Sequence, residues 1–269
     1  MKLPLLLFCC VFYLSLRGQN CKAFLYEKDT AQYEACLLAE KRNGHYQYSK
    51  AYQEALDESL RKCPRFSYGY LHKSVAYLKS GDFLTWKKLI DAAVKLNPRE
   101  NLGYRAWCRY QFFRDYQGAI ADLDQLRSIA NFDVGYSAGG EYHLNVMEAL
   151  CYKALHQQKK ALALLQAHLQ QTSTTVGNFD YLHLGVLYYE FKSYDAALEA
   201  FEKQAKQYDI AENRYYSALV YCDKGEQQKC KEQLQMAKEL YQKDRKMFDP
   251  YTEQMDKIYL DQIVAALAK

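Results

Sequence analysis

The sequence predicts an all-α chain of stacked helical hairpins, and three observations carry that prediction. Gly and Pro are scarce, at 12 and 4 of 269 residues, which favours long helices over the many turns of a strand-rich fold. A small residue recurs as Ser74, Cys108, Ala149, Gly185 and Ala218, in steps of 34, 41, 36 and 33 residues. Around it, apolar side chains recur at i, i+3, i+4 and i+7, the spacing of one helix face. Tyr181, Leu184, Gly185 and Tyr188 show this most clearly.

The chain opens with Lys2 and a mostly apolar run at 3–16. The run is too short to span a bilayer comfortably and suits the apolar region of an export signal. Small Gly18 is the natural last residue before cleavage, so residues 1–18 are expected to be removed and Gln19 to become the N-terminus. A lipid on Cys21 is the alternative route, and it would place the protein on a membrane surface. It is disfavoured because Gly18, Gln19 and Asn20 lack the apolar, small, small pattern that precedes an acylated cysteine. The expected location is periplasmic or secreted.

Residues 31–244 divide into six helix pairs. The first is degenerate, with Leu56, Ser59 and Pro64 as its only good matches. The second begins at Tyr70, Ser74 and Tyr77 and closes with Ile90, Ala93 and Pro98, 34 residues after Pro64. In the second helices a small residue recurs at Ala119, Ala161, Ala197 and Cys230, with Trp86 as the departure. Four positions later stands a large one: Ile90, Leu123, Leu165, Phe201 or Leu234. Gly81 and Gly225 fall at helix-to-helix turns, where a residue free to adopt positive φ ends the first helix. Asp82 is placed to cap the helix that follows.

The 41-residue step hides an insertion at 128–142, containing Gly135, Tyr136, Gly139, Gly140 and Tyr142. It reads as a projecting loop, either a partner-contacting arm or, by slight preference, a tolerated surface insertion. The repeat region is taken as 19–250. Asp249-Pro250 breaks it, and Met255, Ile258, Tyr259, Ile263 and Leu267 then follow at near-helical spacing. Residues 251–269 are therefore expected to form a last helix covering the final hairpin.

The run Tyr181-x-x-Leu184-Gly185-x-x-Tyr188, followed by Ala197-x-x-x-Phe201, resembles the tetratricopeptide signature, and 34 residues is that family's period. The resemblance implies a right-handed superhelical solenoid of antiparallel helix hairpins. It also implies that first helices line a concave face suited to a peptide or protein segment. The positions that map to that face are Tyr68 and His72, Arg105 and Arg109, His183 and Tyr189, and Tyr215 and Tyr216. Arg105 and Arg109 are four apart and share a helix face, so together they could grip a carboxylate. The plainer alternative gives each Arg a local acid, such as Glu100, and gives the tyrosines to seams between repeats.

Nothing in the sequence assembles chemistry. There is no HExxH, phosphate loop, GxSxG or CxxC. His45, His72, His143, His156, His168 and His183 are scattered, and a metal needs converging ligands. Asp122 and Asp124 are two apart on a helix, do not face each other, and read as a solvated face. No metal or cofactor is expected, and the chain is read as non-enzymatic. The formal net charge of +4 would fall to +2 without Lys2 and Arg17, and no basic run points to nucleic acid.

The leading function is a protein-binding scaffold of the cell envelope or secreted space. The alternative is a small-ligand or glycan binder whose groove tyrosines, drawn from 26, stack on sugar rings. Seven cysteines follow the signal, and an exported chain meets an oxidising compartment. Cys21 and Cys36 are the preferred pair, with both left unbridged as the open alternative. Cys108, Cys151 and Cys222 fall on apolar helix faces and read as buried thiols.

Overall fold

The computed structural model describes residues 20–129, 133–171 and 175–268. The export signal expected at 1–18 lies outside the described residues. Among the described residues there is no strand, only an isolated bridge between Tyr136 and His143. The described residues divide into two compact units, one ending at Leu96 and the other beginning at Asn97.

The first unit holds a short helix α1 (Lys22–Tyr26) and two hairpins, α2 (Thr30–Glu40) with α3 (Lys50–Lys62) and α4 (Ser67–Ser80) with α5 (Phe83–Leu96). Local chemistry sets the ends. Asp29 accepts the Gln32 N–H to start α2, and Ser49 accepts the Tyr52 N–H to start α3. Gly81, at φ 84°, ends α4, and the Asp82 carboxylate then accepts the Thr85 N–H at 3.0 Å. Each cap satisfies a backbone group that the helix leaves unpaired. The degenerate first pair packs through small residues on both sides: Ala35 and Ala39 are fully buried, and Ser59 Oγ donates to the Ala35 carbonyl at 2.7 Å. Cys21 and Cys36 form a disulfide beneath this hairpin and share its core with Leu56, Cys63 and Phe66.

The second unit holds four hairpins. They are α6 (Pro98–Cys108) with α7 (Tyr116–Ile129), α8 (Leu144–Ala154) with α9 (Gln158–Gln170), α10 (Asp180–Glu190) with α11 (Tyr194–Tyr208), and α12 (Ala211–Asp223) with α13 (Gln227–Gln242). A π-helical turn, Arg109–Phe113, extends α6, and a final helix α14 (Leu260–Leu267) follows the last hairpin. Asn97 caps α6, with Pro98 at its first turn, where a missing N–H costs nothing. The recurring small residues Cys108, Ala149 and Ala218 are fully buried, as are Ala119, Ala161 and Ala197 on the facing helices. Gly185 is the extreme case: a Cβ there would collide with three atoms of the Phe201 ring. Gly225 ends α12 at φ 77°. The equivalent turns after α6, α8 and α10 use Arg114, His156 and Lys192, also at positive φ.

Three expectations are corrected. The insertion does not simply project. Among its described residues, 128–129 and 133–142, Ser137 N–H donates to the Tyr142 carbonyl at 2.8 Å, and just beyond it Leu144 N–H donates to the Gly135 carbonyl at 2.8 Å. This tight turn drives Tyr142 inward, where it is 1% exposed against Trp107, Phe179 and His183. The final helix does not begin at 251. Residues 243–259 are irregular, Asp256 has φ 64°, and only Leu260–Leu267 is helical, because the preceding stretch is used to cross the faces of other helices. Its Ile263 and Leu267 do pack on α12 and α13. Cys222 is not a free thiol: it is bonded to Cys230 across the α12–α13 turn. Cys63, Cys108 and Cys151 remain free and buried.

Candidate functional site: the first-helix face of the second unit

Residues 245–258 run as a strap over the first helices of the second unit. The strap leaves the last hairpin with the Ala211 N–H donating to the Arg245 carbonyl at 2.9 Å and the Met247 N–H donating to Glu212 Oε2 at 3.1 Å. Asp249-Pro250 turns it outward, the Asp249 carboxylate accepting the Tyr251 and Thr252 amides. It reaches the turn after α6, where Gln111 donates to the Thr252 hydroxyl and Arg114 to the Glu253 carbonyl. It then returns, and Ile258 is buried against Ala211, Ala237 and Ile263.

The return passes through a buried charge cluster. Asp256 Oδ1 lies 2.6 Å from Lys153 Nζ, on α8, and Oδ2 lies 2.7 Å from His183 Nδ1, on α10. The Tyr142 hydroxyl meets the other ring nitrogen of His183 at 3.2 Å, and Glu190 takes a second contact from Lys153 at 2.9 Å. Burial opposes charge on Asp256, but Lys153 and His183 overcome it and hold the carboxyl down at about 2. Burial likewise works against the Lys153 ammonium, and Asp256 and Glu190 hold it above its ordinary range. A carboxylate in such a socket is matched by both charge and hydrogen bonds.

The residues expected on a partner-binding face are distributed differently. Arg105 lays its guanidinium on Asp122, Nε to Oδ2 at 2.9 Å and Nη2 to Oδ1 at 2.7 Å. Arg109 approaches the same Oδ1 at 3.3 Å and donates to the Gly118 carbonyl at 2.8 Å. The two arginines therefore do grip a carboxylate, but it is one on α7, their own hairpin partner. Asp122 is 3% exposed, so the solvated-face reading holds only for Asp124. His183 is fully buried and serves the strap instead of lining an open groove. Tyr216 is half-buried and stacked on Phe201, and burial raises its hydroxyl pKa well above the ordinary value. Tyr215 meets Tyr216 edge-on at 5.5 Å. Both take part in the seam beneath Ile258. Tyr189 keeps a partly open ring near Tyr194, and burial with the neighbouring Asp223 pushes its hydroxyl up to about 12.

In the first unit, Tyr68 and His72 do come together on α4, their rings 4.0 Å apart. Buried Arg42 joins them, donating to Tyr68 Oη at 2.7 Å and to the Ala39 carbonyl at 2.9 Å. Burial, reinforced by Arg42, pushes His72 down to about 3, so its imidazole is neutral.

Arg42, Lys153 and Asp256 were not singled out from the sequence, and Tyr142 was noted only as part of the 128–142 insertion. For Asp256 the one available signal was the Asp249-Pro250 break, which marks a chain leaving the hairpin pattern. Among the described residues no group of three or more His, Cys, Asp or Glu is placed to hold a metal ion. Nor is any helix there long and apolar enough to cross a membrane.

No family model matches this chain, and no curated protein matches it. Solved structures do. YrrB, described as a TPR protein with an unusual peptide-binding site, superposes with a TM-score of 0.54 at 18% identity, over 70% of this chain and 93% of its own. PilW, a type IV pilus biogenesis factor, gives 0.57 at 13%, over 91% and 94%. A match in the APC/C hetero-tetramer Cut9–Hcn1 gives 0.58 at 14%, over 92% of this chain and 44% of that one. At these identities the likeness is one of fold, and the fold is that of tetratricopeptide-repeat proteins.

Proposed function

We propose that this chain is a non-enzymatic scaffold that holds an extended segment of a protein partner against the first helices of its hairpins. One observation carries the reading: the first helices of the second unit already hold an irregular, turning stretch of chain, residues 245–258. They do so with Gln111 and Arg114 at one end, Lys153 and His183 in the middle, and Glu212 at the other. A face that orders a non-helical segment through side-chain hydrogen bonds and one buried carboxylate has the chemistry that peptide recognition needs. The peptide-binding description of YrrB is consistent with it.

We further propose that the scaffold works outside the cytoplasm. Two disulfides, Cys21–Cys36 and Cys222–Cys230, support an oxidising compartment, as does the signal-like stretch before Gln19. A sulfur bonded to Cys36 is not free for a thioether lipid, which favours simple cleavage over a Cys21 anchor. Mass spectrometry of the mature protein is expected to find Gln19 first and no acyl chain.

The binding reading is tested by photo-crosslinking in the native envelope. A crosslinker replaces Tyr68, Tyr189 or Tyr215 on first helices, or Glu199 or Gln235 on second helices. Discrete protein adducts are expected from the first group and not the second. Adducts equally frequent from both groups, or from neither, would remove the first-helix face as the binding surface.

A further inference from the structure

We propose that the strap is a built-in occupant, and that beneath it lies a latent site for an extended, acidic segment of a partner protein whose carboxylate takes the place of Asp256. The proposal rests on the scaffold reading and names the ligand class and the control of that face.

Four observations carry it. First, the strap presents Asp249, Glu253 and Asp256 within a short stretch, and the helices it crosses present Arg114, Lys153 and His183. The strap also carries Arg245, Lys246 and Lys257, and its Asp249 and Glu253 carboxylates turn to its own Thr252 amide and Lys257, so it is Asp256 that sets its carboxylate on the frame, where a carboxylate of another segment would meet the same complement. Second, the socket is built on rigid elements. Lys153 and His183 project from α8 and α10, and Tyr142 fixes the far nitrogen of the His183 ring. Third, side chains hold the middle of the strap. Its contacts there include Gln111 to Thr252, Arg114 to the Glu253 carbonyl, and the two bonds of Asp256. Such segments open locally at lower cost than helices tied by backbone ladders. Fourth, the fit is incomplete. The Gln254 side chain is buried with neither its nitrogen nor its oxygen hydrogen-bonded to protein, and Asp256 sits at φ 64°, a region few L-residues favour. A strut selected only for stability would be expected to satisfy that amide.

Displacement is a competition. The strap is tethered, so its effective concentration at the socket is on the order of millimolar. A partner segment must therefore bind well enough to outcompete it, and weakening the strap must expose the site.

The test uses the full chain and a fluorescein-labelled peptide with the sequence of residues 247–259. A second peptide carries Asn in place of the residue corresponding to Asp256. Binding is read by anisotropy against the wild type and against the Asp256→Asn chain. The Asp peptide is expected to bind the variant at least about tenfold more tightly than the wild type, and the Asn peptide to bind neither. A variant that keeps its helical spectrum yet binds the Asp peptide no better than wild type does would overturn the proposal. So would equal binding of both peptides. Should Asp256→Asn unfold the chain, hydrogen exchange on the wild type decides. Excess Asp peptide is expected to speed exchange at 250–258, and unchanged exchange there would mean that the strap is a fixed strut. The crosslinking experiment reports separately, because Tyr68 belongs to the first unit and the strap to the second.

Discussion

His72 and Asp122 show how far a single residue's role depends on what faces it. His72 is held at about 3 by burial and by Arg42, whereas an unfolded imidazole takes up a proton near 6.5. Between these values the unfolded state binds more protons than the folded one. The contribution to stability is therefore whole above about pH 6.5 and declines as pH falls toward 3. His72→Gln is expected to flatten that decline, read from urea midpoints at pH 7, 5 and 4, while leaving the pH 7 spectrum unchanged. Asp122 depends on Arg105 and Arg109 in the same way that Asp256 depends on Lys153 and His183. Replacing both arginines with Ala would leave a buried carboxylate unpaired, at a cost of about 3 kcal/mol or more. The double variant is expected to melt well below wild type. An unchanged melting temperature would mean that the pair is not structural.

The hairpin is the repeating element, and its tightest point is Gly185 against Phe201. Adding a side chain there forces the α10–α11 seam apart, since the Phe201 ring already fills the space a Cβ needs. Gly185→Leu is expected to destabilise by about 3 kcal/mol or more, measured by urea unfolding. The turns offer a milder contrast. Gly81 has open space around it, so Gly81→Ala costs only its left-handed backbone, about 1–2 kcal/mol. The two measurements together separate packing from conformation within one repeat frame. That frame was readable in advance because spacing carries it. Small residues at Ala149 and Ala161 and large ones at Leu165 and Phe201 recur at helical intervals, and each is buried in the structure. Cys222 was misread because its apolar face says nothing of how near Cys230 comes across the turn.

At the scale of the whole chain, the far-ultraviolet spectrum should be helical with no strand component. Reduction should lower the melting temperature, since Cys21–Cys36 alone closes a separation of 15 residues, worth about 3 kcal/mol in the chain-entropy picture. A chain that melts identically with and without reductant would show that neither bridge forms. The sequence by itself determined the helical class, the six hairpins and most of their buried positions. Helical periodicity and small-residue spacing are local properties, and local properties are written in order along the chain. Only the tertiary structure decided what the polar residues do. Arg105 meets Asp122 across 17 positions, His183 meets Tyr142 across 41, and Lys153 meets Asp256 across 103. Charge and hydrogen-bond partners are chosen by proximity in space, and nothing in the repeat pattern records that an irregular segment returns to lay its carboxylate between two helices.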